Sequence, residues 1–251
     1  KTANSTILNS ENQWTSLGPI LIQSPNGLGR KNHANIYNIH KSSTTDNMIA
    51  VTESSGVYFS EDSGLNWKNI TPQEFNNYRP YVDDRITYID ETNQNLYVVN
   101  QGNVYKSENL GESWNKIELS AQRISEIQVS NGVIYYSSFP GNNNQSQFIE
   151  SDFGFYKYDG NITQLESGFV WDFEIVENTM DVYLIKYNKS LNISQFYKSE
   201  NGGETFNLKD SGWWEPLNGR SSSANIGNDT GGKIAMTDDG QIIYVALLGE
   251  E

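Results

Sequence analysis

An eight-residue phrase recurs at a fixed period, and it constrains the fold more than any other property of the chain. Ser60-Glu61-Asp62-Ser63-Gly64-Leu65-Asn66-Trp67 is the first copy. Ser107-Glu108-Asn109-Leu110-Gly111-Glu112-Ser113-Trp114 and Ser199-Glu200-Asn201-Gly202-Gly203-Glu204-Thr205-Phe206 repeat it. The shared pattern is Ser-x-Asp/Asn-x-Gly-x-Ser/Thr/Asn-aromatic. The first two copies start 47 residues apart and the next starts 92 further on, which is two periods of about 46. A degenerate copy is therefore expected midway. Ser151-Asp152-Phe153-Gly154-Phe155-Tyr156 supplies the Ser and the Gly there, with the spacing one residue short. Self-similarity at a period of roughly 20–50 residues marks solenoids, propellers and arrays.

Each unit has the same internal order. An alternating, aromatic-rich segment precedes each clear copy: Gly56-Val57-Tyr58-Phe59, Asn103-Val104-Tyr105-Lys106 and Gln195-Phe196-Tyr197-Lys198. Two further β-type segments lie upstream, such as 85–89 and 95–99, or 124–129 and 133–136. The turn between the last two is Ser130-Asn131-Gly132, and Asn-Gly is the pair a tight type I′ hairpin wants. A fourth short strand follows each copy, as in Trp67-Lys68-Asn69-Ile70. No stretch shows a helical apolar period, so helix is a minor component at most. Four short antiparallel strands per unit predict an all-β fold, a β-propeller of four-stranded blades.

The motif resembles the Asp box, or BNR repeat, of sialidases, sortilin-type receptors, xyloglucan-degrading glycosidases and many secreted bacterial propellers. The likeness spans residues 12–246. It implies that the motif forms the hairpin between a blade's third and fourth strands, and that its residues are architectural. Gly64, Gly111 and Gly203 would supply a positive φ or a close approach. Ser60, Ser107 and Ser199, with Asp62, Asn109 and Asn201, would bond turn backbone. Trp67, Trp114 and Phe206 would each bury a ring between adjacent blades.

The repeat also sets expected boundaries. Residues 12–19 read as a lone fourth strand closing the ring. Blades follow at 34–71, 85–119, 124–166 (degenerate) and 170–209, and 232–246 reads as half a blade. An incomplete ring of about four full blades plus parts would expose sheet edges. The chain is therefore expected to be part of a longer protein, or to have a partner chain that supplies the missing strands.

Composition narrows the partners. With 251 residues and a net charge of −14, nucleic acid and anionic membrane are disfavoured. No run is apolar enough for membrane insertion, and none reads as a signal peptide. The absence of cysteine fits an exported bacterial protein that does not rely on oxidation, and lacks the disulfide-rich module of sortilin-type receptors. Asn, Lys and Tyr abundance suggests an AT-rich bacterial genome. Seven Asn-x-Ser/Thr sequons, at Asn4, Asn69, Asn144, Asn161, Asn188, Asn192 and Asn228, follow from that composition and permit glycosylation without showing it. The opening Trp14-Thr15-Ser16-Leu17-Gly18-Pro19 and Gly29-Arg30 also resemble large secreted Bacteroidota proteins of the type IX route. That likeness implies a secreted or cell-surface location.

Propeller ligand faces are built from the loops entering the first strand and those joining the second and third, on the rim opposite the motif hairpins. Four long connections qualify: 71–84, 138–146, 187–193 and 210–231. Their binding candidates are Tyr78, Arg79, Tyr81, Trp213, Trp214 and Arg220, with an exposed Trp suited to stacking on a sugar face. Sialidase chemistry needs three arginines, and Arg30, Arg79 and Arg220 are the conceivable set among five. A general glycosidase needs two carboxylates, and Asp83, Asp84 and Glu215 are available. Against this, Asp83-Asp84 would solvate a turn and both tryptophans would pack between blades. His33 and His40 are the only histidines and no calcium-type loop appears, so no metal and no cofactor are expected. The leading reading is a recognition or scaffold propeller that binds glycan or protein through its long loops. The alternatives are a glycoside hydrolase, sialidase-like or xyloglucanase-like, and a passive exported cargo domain.

Overall fold

The computed structural model describes residues 36–52, 56–75, 86–119, 121, 123–139, 153–177, 179–188, 193–209, 232–237 and 242–247. The first sheet contains β1 (Ile36–Lys41), β2 (Met48–Thr52), β3 (Val57–Ser60) and β4 (Lys68–Asn69). The second contains β5 (Thr87–Ile89), β6 (Leu96–Asn100), β7 (Asn103–Ser107) and β8 (Asn115–Glu118). The third contains β9 (Arg123–Ser130), β10 (Val133–Phe139), β11 (Gly154–Tyr158) and β12 (Ile162–Ser167). The fourth contains β13 (Val170–Val176), β14 (Asp181–Asn188), β15 (Ile193–Ser199) and β16 (Asn207–Leu208), and β17 (Gly232–Met236) pairs with β18 (Ile243–Leu247) in a two-stranded fifth. All pairings are antiparallel, and spatial order follows chain order in every sheet. No helix occurs among the described residues.

Turn chemistry fixes the register. Asn131 and Gly132 have φ of 51° and 78°, and Ser130 pairs with Val133 across them. Two successive positive φ values are what a type I′ turn demands. Gln101 and Gly102 do the same between β6 and β7.

Second strands are central in their sheets and covered on both faces, so they read as near-continuous apolar runs. Alternate residues serve different neighbours. Ile49 and Val51 of β2 pack with Ile89, Leu96 and Val98 of the second sheet. Tyr97 and Val99, on the other face of β6, pack with Ile124, Ile127 and Ile134 of the third. Tyr135 meets Val170, Phe173 and Val182 of the fourth. Tyr183 and Ile185 meet Ile234 of the fifth, with Ile243 and Val245 alongside. Every core cluster is therefore shared by two consecutive sheets, which is the packing of propeller blades.

The repeated phrase builds one hairpin three times. The Ser60 hydroxyl accepts from the Gly64 N–H at 2.8 Å and donates to Asp62 Oδ1 at 2.7 Å, and Asp62 Oδ1 accepts from the Asn66 N–H at 2.8 Å. Ser107 and Ser199 repeat the pattern with Gly111 and Gly203, at 2.8 and 2.9 Å. All three serines are buried, and Gly64, Gly111 and Gly203 have φ of 87°, 87° and 90°. The variable positions are matched as donor and acceptor. Asp62 accepts from Asn66 Nδ2 at 2.7 Å, whereas Asn109 and Asn201 donate through Nδ2 to the hydroxyls of Ser113 and Thr205 at 2.9 and 3.0 Å. An acidic third position thus goes with an amide at the seventh, and an amide third position with a hydroxyl.

The aromatic that closes the phrase docks the hairpin on the preceding sheet. Trp114 packs against the core shared by the first two sheets and donates Nε1–H to the Ile70 carbonyl at 2.9 Å. Phe206 meets Phe155 of the third sheet edge-on, 6.1 Å between centroids. Trp67 differs: it donates to the Gly64 carbonyl of its own hairpin at 2.8 Å, and no described sheet precedes the first.

The degenerate copy is corrected by the structure. Gly154 does not turn a hairpin between third and fourth strands; it opens the third strand itself, paired with Ser138 and Ser167. The hairpin of the third sheet is Asp159-Gly160-Asn161, with Gly160 at φ 106° and the Asn161 N–H on Asp159 Oδ1. A short Asp-Gly turn suffices there, so the eight-residue phrase is absent from that blade.

Candidate functional site

Each first strand is an edge strand, paired on one side only. N–H groups on its open side need partners, and the preceding sheet provides them. Asn38 Oδ1 accepts from the Thr87 N–H at 3.1 Å and from the Thr87 hydroxyl at 2.7 Å. Gln128 Oε1 accepts from the Ile175 N–H at 3.1 Å, while its Nε2 donates to the Phe173 carbonyl at 2.9 Å and to Glu174 Oε2 at 2.8 Å. Asp172 Oδ2 accepts from the Ile234 N–H. Three of the four junctions between consecutive sheets, the first, third and fourth, thus carry a polar side chain that clamps the next first strand.

These five strands surround a cavity of about 600 Å³. Asn38, His40, Tyr88, Glu126, Gln128 and Glu174 line it along the strands. Ser43, Thr44, Glu91 and Glu177 line it in the turns beyond the first strands, and Lys233 and Thr237 come from the fifth sheet. The His40 and Tyr88 rings lie 4.6 Å apart, tilted at 46°. The cavity therefore reaches the rim that carries the motif hairpins: Ser63 of the first hairpin donates both its N–H and its hydroxyl to Asp46 in the β1–β2 turn. This is the rim opposite the one expected for the long ligand loops, and the polar first strands along the axis are what the sequence leaves unmarked.

The wall formed by β9, β13 and β17 is rich in carboxyls. Asp172 is buried and accepts from Lys233 Nζ at 2.6 Å, and Lys233 lies 3.8 Å from Glu126 Oε2. That Glu126 oxygen is sealed from solvent with no hydrogen bond. Burial, reinforced by the adjacent Asp172 carboxylate and opposed by Lys233, holds the Glu126 carboxyl well above the usual range. Burial also pushes Glu174 up to about 7, against the pull of its bond from Gln128. His40 goes the other way, kept below its ordinary value by burial with Glu91 opposing. Near neutral pH the wall is thus less charged than its composition implies.

This has a consequence for stability. Between the ordinary glutamate value and about 7, folded Glu174 keeps a proton that the unfolded chain has lost, so stability falls as pH rises through that window. His40 loses its proton early in the folded state and works oppositely at the acidic end. The difference between wild type and Glu174→Gln isolates the carboxyl. From about pH 5 to about pH 8 the wild type should lose on the order of 2–3 kcal/mol more than the variant, read as thermal midpoints across pH. Parallel curves for the two proteins would remove the assignment.

The residues singled out from the long loops, Tyr78, Arg79, Tyr81, Asp83, Asp84, Trp213, Trp214, Glu215 and Arg220, lie outside the described residues, as do Arg30 and residues 12–19. The structure instead assembles Asn38, His40, Tyr88, Glu126, Gln128, Asp172, Glu174 and Lys233, none of which the sequence analysis chose. One signal was available. Glu126 and Gln128 alternate with Ile127 and Val129 in a strand whose apolar face is fully buried, so the other face had to meet something polar.

No protein-family model matches the chain, and no curated protein matches it in sequence. Solved structures do resemble it. A GH74 enzyme of Niastella koreensis is 17% identical, with a TM-score of 0.51 over 68% of this chain and 29% of that one. A GH74 xyloglucanase of Xanthomonas campestris is 16% identical, with a TM-score of 0.49 over 65% of this chain and 28% of its own. YCF48 of Cyanidioschyzon merolae is 17% identical, with a TM-score of 0.46 over 80% of this chain and 63% of its own. The chain spans less than a third of the length of the two GH74 enzymes. Four consecutive four-stranded antiparallel sheets, each sharing its cores with its neighbours, together with the similarity to the Niastella enzyme make the fold of this chain a β-propeller, its ring not closed among the described residues.

Proposed function

We propose that this chain is an Asp-box propeller acting as a recognition module of a larger exported bacterial protein, at or outside the cell surface. Its axial cavity takes the end of a glycan. The cavity itself carries this reading. Its volume of about 600 Å³ falls in the range of small-molecule sites. Its wall offers hydroxyls, an amide, an imidazole beside a phenol, and carboxyls that burial keeps protonated, a set that both donates to and accepts from sugar hydroxyls. Tyr78, Arg79, Tyr81, Trp213, Trp214 and Arg220 are proposed to extend the same recognition outward on the loops. The test is an oligosaccharide array followed by titration calorimetry. His40→Ala should weaken binding of any hit at least tenfold without lowering the melting temperature. A blank array, or affinity indifferent to His40→Ala, ends this reading.

One observation favours glycoside hydrolysis as a second reading. A hydrolase needs one carboxyl held protonated near neutrality and a second carboxylate about 5 Å or more away, and Glu126, which lines the cavity, meets the first requirement. Asp83, Asp84 and Glu215 are the loop alternatives. Release of reducing ends from xyloglucan or sialosides, abolished by Glu126→Gln or by substitution of a loop carboxylate, would establish it. No release by the wild type would discard it.

A further inference from the structure

Two of the turns that join a first strand to a second are built alike. In the second sheet the Gln94 N–H donates to the Asp90 carbonyl at 2.7 Å, and in the fourth the Met180 N–H donates to the Val176 carbonyl at 2.8 Å. Both residues have a positive φ, 56° for Gln94 and 59° for Met180. The second strand starts at Leu96 in one and at Asp181 in the other. Gln94 and Met180 therefore hold the same position of the repeat.

That position reaches back to the corresponding turn of the preceding sheet. Gln94 Oε1 accepts from the Thr45 hydroxyl and from Asn47 Nδ2, each at 3.0 Å, and Gln94 Nε2 donates to the Thr44 hydroxyl at 3.3 Å. Met180 meets the same kinds of donor on the third sheet. The Ser130 hydroxyl and Asn131 Nδ2 point at its Sδ from 3.5 and 3.6 Å. A hydroxyl and an amide thus converge on a carbonyl oxygen at one junction and on a thioether at the other. A thioether is a weak acceptor, and Ser130 is buried, so two good donors end on a poor partner.

Oxidation removes that mismatch. A methionine sulfoxide carries its oxygen on the atom that corresponds to Cδ of glutamine, with a methyl where glutamine has its amide nitrogen. We propose that Met180 is a site of oxidation by peroxide, and that its sulfoxide completes between the third and fourth sheets the junction that Gln94 makes between the first and second. In the step a sulfur lone pair attacks one peroxide oxygen and the O–O bond breaks. Sulfur loses two electrons and keeps that oxygen; the other leaves as hydroxide and takes the proton of the first to become water. Met180 is half-buried, with Thr179 and Asn131 exposed beside it, within reach of so small a reagent. Sulfoxides commonly disrupt packing, but here the new oxygen meets donors already aimed at it. Glu177 of the same turn lines the axial cavity, so the modified residue stands at the cavity's rim.

The test uses a protein carrying Met48→Leu and Met236→Leu, in which Met180 remains as the last of three methionines. After dilute hydrogen peroxide, peptide mass mapping should find one added oxygen on Met180. The thermal midpoint should rise by about 2–4 °C, the shift that one ordinary hydrogen bond gives a domain of this size. Met180→Gln in the otherwise wild-type chain should show the same rise without peroxide, and Met180→Leu, which offers no acceptor, should melt below the wild type. A Met180 that stays unmodified in peroxide sufficient to oxidise free methionine overturns the proposal. So does a midpoint that falls or stays level on oxidation, or a Met180→Gln protein no more stable than the wild type.

Discussion

A Gly111→Ala protein is expected to unfold at a much lower denaturant concentration than the wild type. Two effects add at this position. Gly111 has φ of +87°, where a Cβ meets its own backbone at a cost of roughly 1–2 kcal/mol. That Cβ would also stand 2.5 Å from Ile70 Cβ and 2.8 Å from its Cδ1 and Cγ2. Ile70 is buried in the core shared by the first two sheets, and overpacking such a core adds about 1–3 kcal/mol. A loss of about 3–5 kcal/mol, a large share of the stability of a typical domain, should appear as a shift in urea midpoint. Gly132→Ala is the control. Gly132 has φ of +78° and nothing within 4 Å of a built Cβ, so it should lose only the backbone part, about 1 kcal/mol. Equal losses at the two positions would show that the hairpin does not press on the preceding blade.

Removing Gln128 should be the most damaging single change along the axis. Its amide satisfies the Ile175 N–H and the Phe173 carbonyl and also bonds Glu174. The residue is 8% exposed, so Gln128→Ala strands two main-chain groups away from water, a loss of roughly 2–4 kcal/mol. Gln128→Glu separates geometry from charge. It keeps an acceptor for Ile175 but turns the former donor into an oxygen facing Phe173 O and Glu174 Oε2. That variant should be nearly stable at acidic pH, where the new carboxyl is protonated, and should lose stability steeply toward neutrality. If the two variants behave alike at every pH, the clamp acts by packing rather than by hydrogen bonding.

The two positions also mark what the sequence makes legible. Hairpin chemistry is local: a buried Ser, an Asp or Asn two residues on and a Gly at positive φ all bond within five residues, so the phrase reveals its geometry directly. The same locality located the strands on either side. The degenerate blade misled because Ser and Gly at 151–154 imitate the phrase while a three-residue Asp159-Gly160-Asn161 turn performs its task. The axial site was hidden for the opposite reason. Asn38, Gln128 and Asp172 perform one job, accepting an N–H from the next first strand, with three different residue types. Their partners lie 47 to 62 residues away. No shared letter marks them, and only alternation of polar with buried apolar residues in the first strands hinted at a lined axis.

Cores that are shared pairwise give the fold the thermodynamics of a one-dimensional chain. Each sheet shares its apolar core only with its immediate neighbours, so unfolding should propagate from an end of the described array rather than begin in its middle. Among the described residues the two-stranded fifth sheet has a partner on one face only, and its amides should exchange with solvent fastest, followed by those of the outer strands of the first sheet. The second and third sheets, coupled on both sides, set the slowest exchange. Loss of a single junction, as in Gln128→Ala, would then split one melting transition into two, because the chain of couplings has been cut near its centre.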